Sequence, residues 1–550
     1  LITFLSSVMV LLSFLIVFRT IMPEISIINL LSTAAIVSFL AGLPISFGGW
    51  GLRELSSMYL ISNLGGSSES ALAGSILIGL VSSGAVLTLF PLIFLKNKIS
   101  TVSLEKEVLI KPDRKKLEYI AVWFLTFFVS AFVFFQIHVE IGSGALNVNL
   151  ADPFAILVFT IIILNAVLKR DVPRWYIKNF NFYLGFILIF FVISYCIGIY
   201  SFGMTSWATN KIIGWLVLLG YLFSGSLVVS YFGLTGFFRI TQTMLIVITT
   251  VLVFNISLWF ISSNGFIVLE NFKPILEAYS GNRNALAFQV LVVLSCVLAF
   301  EPWYRKLLKT SFQFNLLVFS MSIMIAAIII TGSRSAIATM FLVFLAALLL
   351  GMAKRQFILK SVLFGILIFI LAQYGVFILQ RTLNVLSFLM NLSGLNGSSG
   401  FEKLFGGGGI QMPISSSSSD AGRWDLIVHS FNMWLDYPFF GAGLGAFYNN
   451  SFELTGLNVV IHNTALWILA EFGFLGMIFF LLPFLYILKY AIFDCEHKVF
   501  SNAIILLLLA FSAMSLFHEV FYQRTFWFVL GGLIALPKSK IIFARLNDVK

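Results

Sequence analysis

Three residues in this chain suit the handling of a phosphorylated leaving group and a proton: Arg334, Arg423 and His462. An arginine fork grips phosphate oxygens in pairs and never gives up its charge. An imidazole titrates near neutrality and can take the proton of a hydroxyl. Arg334 stands in the run Ser333-Arg334-Ser335-Ala336, at the amino end of an apolar segment that Ser333 is placed to cap. Arg423 lies in GRWDLIVHSFNMWLDYPFFGAGLGAFYNN, and His462 opens HNTALWILAEFGFLG. Arg334 and His462 thus each sit at a helix start, where open N–H groups and the macrodipole favour an anion. Arg283, Asn284, Asn463 and Glu471 are further candidates for touching a substrate. Glu471 falls within an apolar run, where a carboxylate is costly in lipid and should face a cavity or a partner.

Each of these residues also has a plainer reading. Arg334 can anchor a helix end at the membrane interface by snorkelling. Arg423 can be the polar face of an amphipathic helix, and His462 a capping residue. Arg283 and Asn284 can fix a loop, Glu471 can be structural, and His429 reads as a surface residue of the helix that carries Arg423.

The elements that hold these residues are membrane helices. The chain has 550 residues, of which 60% are hydrophobic and 10% charged, with a mean hydropathy of +1.02. Such a composition excludes a soluble domain, whose surface needs more polar side chains. Apolar runs of roughly 18 or more residues recur throughout, so the fold class is all-α and polytopic. The net charge of +11 does not call for nucleic acid. Most of the basic residues fall in short loops on one side: Lys96–Lys116, Lys169–Lys178, Arg239, Arg305–Lys309, Lys354–Lys360, Lys489–Lys498 and the tail from Lys538. That bias marks the cytoplasmic side. Cys196, Cys296 and Cys495 are too scattered for a disulfide framework or a metal site. The chain opens on Leu1, so its true beginning is expected to lie upstream, and Leu1–Thr20 does not read as a signal peptide.

A charged stretch at 96–116, KNKISTVSLEKEVLIKPDRKK, reads as a cytoplasmic linker between a block at 1–95, with about three spans, and a larger one at 117–540. The larger block parses into spans at 117–138, 151–168, 182–200, 209–232, 236–262, 284–301, 311–331, 335–351, 357–379, 463–488, 499–517 and 521–537. An even number returns both ends to the cytoplasm. Gly281–Asn284, Gly332–Ser335, a large loop at 380–462 and His518-Glu519 then share the outer side. Within that loop Gly406–Gly409 and Ser415–Ser419 are low-complexity. After them Asp420 can cap a helix whose Trp424, Ile427, Val428, Phe431, Trp434 and Leu435 share one face, and Pro438 ends it. That helix is expected on the membrane surface or over the bundle.

SRSA at Ser333–Ala336, the helix from Arg423, the turn PFFGAGLGAF at Pro438–Phe447 and HNTALWILAEFGFLG at His462–Gly476 together resemble the O-antigen ligase and polymerase superfamily of bacterial membrane glycosyltransferases. The order and placement of these motifs carry the resemblance, over roughly 117–540. The first block resembles another family: LAGLPISFGGWGLRE at Leu40–Glu54 looks like the end of the flippase-like membrane region of lysylphosphatidylglycerol synthases.

The resemblance implies a helical fold of the GT-C type and a glycan donor on undecaprenyl diphosphate. The acceptor would be lipid A–core or another glycan, and transfer would take place at the outer face of the inner membrane, in lipopolysaccharide or other polysaccharide synthesis. It implies membrane lipids as surroundings, no nucleic acid, no cofactor and no metal. It places Arg334, Arg423 and His462 at the family's functional positions. The sequence contains no Asp-x-Asp pair, so the cation opposite a diphosphate is expected from arginine. The expected reaction is a single in-line displacement with inversion. Polymerase activity of the same superfamily is the nearest alternative. A flippase or transporter is the competing class, though it would predict an internal repeat and intramembrane charges in matching halves.

Overall fold

The computed structural model describes residues 2–41, 52–67, 70–79, 114–141, 144–169, 173–203, 205–263, 276–308, 310–392, 417–455, 461, 463–495 and 497–536. Most of the linker, most of Leu40–Glu54, the glycines at 406–409, His462 and the basic tail lie outside them, as do the side chains of Arg423 and of the residues from 375 to 392.

The chain forms two compact units, Leu1–Arg114 and Lys115–Lys550. The first holds α1 (Ile2–Ile21), α2 (Ile27–Ala41), α3 (Leu52–Asn63) and α4 (Ser70–Gly79). Phe14, Phe18, Leu30, Val37, Ile61 and Ala71 form its core. Arg53 and Glu54 are both buried and pair at 2.7 Å.

The second unit begins with α5 (Arg114–Phe132), a hairpin of β1 (Gln136–Ile141) and β2 (Gly144–Asn149), then α6 (Asp152–Lys169), α7 (Phe180–Phe202) and α8 (Ser206–Ser263). It continues through α9 (Arg283–Leu307), α10 (Ser311–Ile330), α11 (Arg334–Leu349), α12 (Arg355–Leu392), α13 (Ser417–Asp436) and α14 (Ala446–Thr455). It closes with α15 (Thr464–Lys489), α16 (Lys498–Ser515) and α17 (Arg524–Ile534). The protein is an all-α polytopic membrane protein. Every expected span of the second unit coincides with an apolar helix. Among the described residues, eight helices are long and apolar enough to cross a membrane; those at Tyr119–Phe132, Asp152–Leu168, Arg334–Leu349 and Arg524–Ile534 are shorter.

Helix α9 sits at the centre, with 94% of its span enclosed by protein, and α16 packs along it. Helices α8 and α17 cross closely, because a side chain at Gly225 or Gly531 would run into the backbone of the other helix. Around this centre the outward-facing Phe341, Leu342, Leu363 and Phe364 leave an apolar surface suited to lipid.

Several local expectations need correction. The span placed at 117–138 stops at Phe132, because the alternating polar and apolar residues of Gln136–Asn149 pair as an antiparallel hairpin, with Gln136 opposite Asn149. Helix α12 continues past 379 to Leu392, entering the stretch assigned to the outer loop at 380–462. Asp420 lies inside α13 and does not cap it, since the serines before it join the helix. The helix also settles its own orientation. Trp424, Ile427, Val428, Phe431 and Leu435 are exposed, while Ser430 and Met433 are buried on the face toward α15. Its apolar face therefore points away from the bundle.

Candidate active site

Three helices of the second unit start close together, and each start is capped. Asn282 accepts from the Ala285 N–H at the start of α9, Ser333 from Ala336 N–H at α11, and Asn463 from Leu466 N–H at α15. A polar side chain thus serves each open helix end. Arg283 and Arg334 hold the first helical positions of α9 and α11. The Arg283 guanidinium lies beside Gly332, its Nη1 4.0 Å from where a Cβ would stand. Gly332 has φ 64°, and this left-handed residue makes the tight turn into α11. Arg334 is exposed and Arg283 half-buried.

The loop between α16 and α17 ties these starts together. His518 Nε2 lies 2.7 Å from Ser335 Oγ in the first turn of α11. The His518 carbonyl accepts from Thr464 Oγ1 at 2.9 Å, and Thr464 Oγ1 accepts in turn from Val520 N at 3.1 Å. Asn463 donates to the Leu516 carbonyl at 2.7 Å, so its amide serves both cap and loop. The hairpin reaches the same end: Gln136 N donates to the Tyr279 carbonyl at 2.7 Å.

Glu471 is buried beneath this surface. Its carboxylate accepts from Trp467 Nε1 at 2.7 Å and from the Gly445 backbone. It thereby joins the two motifs of the sequence, the glycine turn and α15. The turn docks into a break in α15 at Gly473, where φ is 71° and ψ −172°. There Ala442 N donates to Ala470 O at 2.9 Å, and Phe474 N to Pro438 O at 2.8 Å. A side chain at Gly473 would strike the Phe439 carbonyl, and one at Gly441 the Glu471 backbone. The broken helix is filled by protein backbone, as a helix interrupted at membrane depth requires.

Sequence reasoning missed a charged layer beside the helix starts. Lys211 pairs with Glu519, and its ammonium lies between the rings of Trp207, Trp467 and Tyr522, at 4.6, 5.1 and 4.3 Å from their centroids. The Tyr522 hydroxyl donates to the Lys211 carbonyl at 2.8 Å. Arg524 grips Asp152 with two bonds of 2.6 and 2.8 Å, and Tyr221 donates to the same carboxylate at 2.8 Å. The available signal was a lysine inside an apolar run, which demands a partner.

His429 is half-buried on α13, with its ring against Phe447 and its Nε2 enclosed. Of the other expected site residues, Asn284 is half-buried in the first turn of α9. Arg423 is placed on α13 by its backbone alone.

Residues 319–481 match the family described as O-antigen ligase. Over that stretch the chain is similar to O-antigen ligases. The match spans α10 to α15 and so contains Arg334, Arg423, the glycine turn and Glu471. It is shorter than the expected 117–540, and it does not reach the flippase-like block at 1–95. No curated protein sequence matches the chain significantly. Together with the apolar helices, the match supports an integral membrane enzyme of the ligase and polymerase type, a family whose substrates in general are a lipid-linked glycan and an acceptor.

Proposed function

We propose that the protein transfers a glycan from undecaprenyl diphosphate to an acceptor, lipid A–core or another glycan, on the outer face of the inner membrane. The observation that carries this reading is the meeting of three capped helix starts, with Arg283 and Arg334 on two of them. Open N–H groups, aligned dipoles and guanidinium forks together suit a diphosphate. The cytoplasmic bias of the basic loops supports the outer-face orientation.

In the proposed reaction the acceptor oxygen attacks the anomeric carbon as the bond to the diphosphate oxygen breaks. The diphosphate leaves with the bonding electrons and is held by Arg283 and Arg334. Arg423 joins them and His462 takes the hydroxyl proton, both assigned from the family resemblance. Displacement in one step inverts the anomeric centre, and the charge that a metal neutralises elsewhere is met here by arginine.

Ligase and polymerase differ in acceptor, and the matched family includes both. Gel separation of surface glycans from a deletion strain tests the proposal. Polymer retained on its carrier, with none on the acceptor, marks a ligase; single repeats on the acceptor mark a polymerase. Unchanged surface glycan would contradict both.

A further inference from the structure

Beside the helix starts lies a cavity of about 260 Å³, whose walls include Trp207, Asn210, Lys211, Glu519, Tyr522 and Gln523. It shares Asn282 with the cap of α9, and Glu519 follows His518 directly. Asn210 and Asn282 are exposed, so the cavity has an entrance at this end of the bundle.

Its chemistry selects among ligands. Lys211 and Arg524 both line it, which at first suggests an anion. Yet Lys211 is paired with Glu519, and Arg524 is held in two bonds by Asp152. These four formal charges cancel, so the cavity offers a diphosphate no net attraction. Hydrocarbon is equally ill-matched, because it would strip water from the ion pair and the amides without replacing their hydrogen bonds. The faces of Trp207 and Tyr522 are taken by the Lys211 ammonium, and Trp207 also stacks on Tyr448, so the rings offer the cavity their edges. The remaining chemistry is amides from Asn210 and Gln523 and the edges of a carboxylate and an ammonium. Hydroxyls that both donate and accept satisfy that set, as those of a pyranose do. A volume below the roughly 300–1,000 Å³ of pockets for drug-sized ligands limits the occupant to about one ring. A buried ion pair is weak support for stability, which leaves a binding role for Lys211 and Glu519.

We propose that this cavity is a carbohydrate subsite that holds one neutral sugar ring next to the diphosphate position. The assignment rests on the glycosyl-transfer reading, and the ring belongs to either the donor glycan or the acceptor.

The test titrates the full chain, in lipid nanodiscs, with methyl glycosides of hexoses, N-acetylhexosamines and 6-deoxyhexoses, following tryptophan fluorescence. Inorganic diphosphate is the contrasting probe. A saturable response to at least one glycoside is expected. It should be smaller in Trp207→Phe, and three- to tenfold weaker in affinity in Asn210→Ala or Gln523→Ala, each a loss of one neutral hydrogen bond. Diphosphate should not compete. No response to any glycoside, competition by diphosphate, or unchanged affinity in both amide variants would overturn the subsite. Where transfer is assayed, a raised KM for donor alone in Asn210→Ala assigns the ring to the donor, and a raised KM for acceptor alone assigns it to the acceptor. Sugar binding without transfer strikes the transferase reading only; transfer without sugar binding strikes the subsite only.

Discussion

His518 and Ser335 stand 183 residues apart in the chain, yet the imidazole Nε2 lies 2.7 Å from the serine Oγ. Through its carbonyl the same histidine holds Thr464 at the start of α15. One loop residue therefore fixes α11 and α15 relative to each other, and with them the helix starts that carry Arg334 and follow His462.

Thr464→Val removes the hydroxyl that gives to His518 and takes from Val520, leaving the Val520 N–H buried and unmet. The expected loss is about 1–3 kcal/mol of stability. Thermal unfolding in detergent checks it, and an unchanged midpoint would show that the loop does not brace the helix.

The Lys211–Glu519 pair makes a sharper prediction. Both side chains are largely enclosed, at 10% and 16% exposure. Lys211→Met leaves a buried carboxylate without its partner and should cost about 3–5 kcal/mol, whereas Lys211→Met with Glu519→Leu should recover most of that loss. Denaturant unfolding of both variants separates a paired from an independent role. The double variant should still lack the sugar response described above.

The break in α15 depends on glycine. Gly473→Ala places a side chain at φ 71°, ψ −172°, a backbone region essentially reserved for glycine, at roughly 1–3 kcal/mol, and drives it into the Phe439 carbonyl. The turn from Pro438 must then leave its seat. We expect lower yield, faster proteolysis at the turn and loss of activity, against a near-neutral Gly185→Ala, whose Cβ would meet nothing within 4 Å. Equal behaviour of the two variants would contradict the interlock.

Burial lowers the titration of His429 below its ordinary value, with Asp436 opposing in part. The folded protein prefers the neutral ring. Its contribution is therefore present above the ordinary histidine value of about 6.5, and it is lost as pH falls from there through the lowered value. His429→Phe should flatten the pH dependence of the unfolding midpoint in that acid window and leave neutral pH little changed. A slope equal to that of the unaltered protein would exclude His429 as its source.

Much of this architecture is legible in the sequence, because crossing a bilayer imposes long apolar runs that composition alone reveals. Caps are legible only in part: Ser333 sits directly before the run it serves, but the capping role read into His462 belongs to Asn463, and Asp420 caps nothing. What stays hidden is pairing across the chain. Lys211 and Glu519 are 308 residues apart, Asp152 and Arg524 372, and no local periodicity connects them. The glycine turn and α15 were both conspicuous as motifs, but only the fold shows that one fills the break in the other. The hairpin from Gln136 escaped notice although QIHVEI alternates as a strand does, because its residues were absorbed into a helix that was read as longer.

The central claim is that the helix starts of α9 and α11 hold the departing diphosphate through Arg283 and Arg334. The most direct measurement is the rate of glycan transfer from an undecaprenyl-diphosphate donor in proteoliposomes carrying Arg334→Ala, with Arg283→Ala beside it and Arg334→Lys as the charge-retaining control. The account predicts a fall of about 10²-fold or more in Arg334→Ala, as for loss of one preorganised group facing transition-state charge, a smaller fall in Arg334→Lys, and unchanged folding in each. Transfer at the unaltered rate in both alanine variants would contradict it.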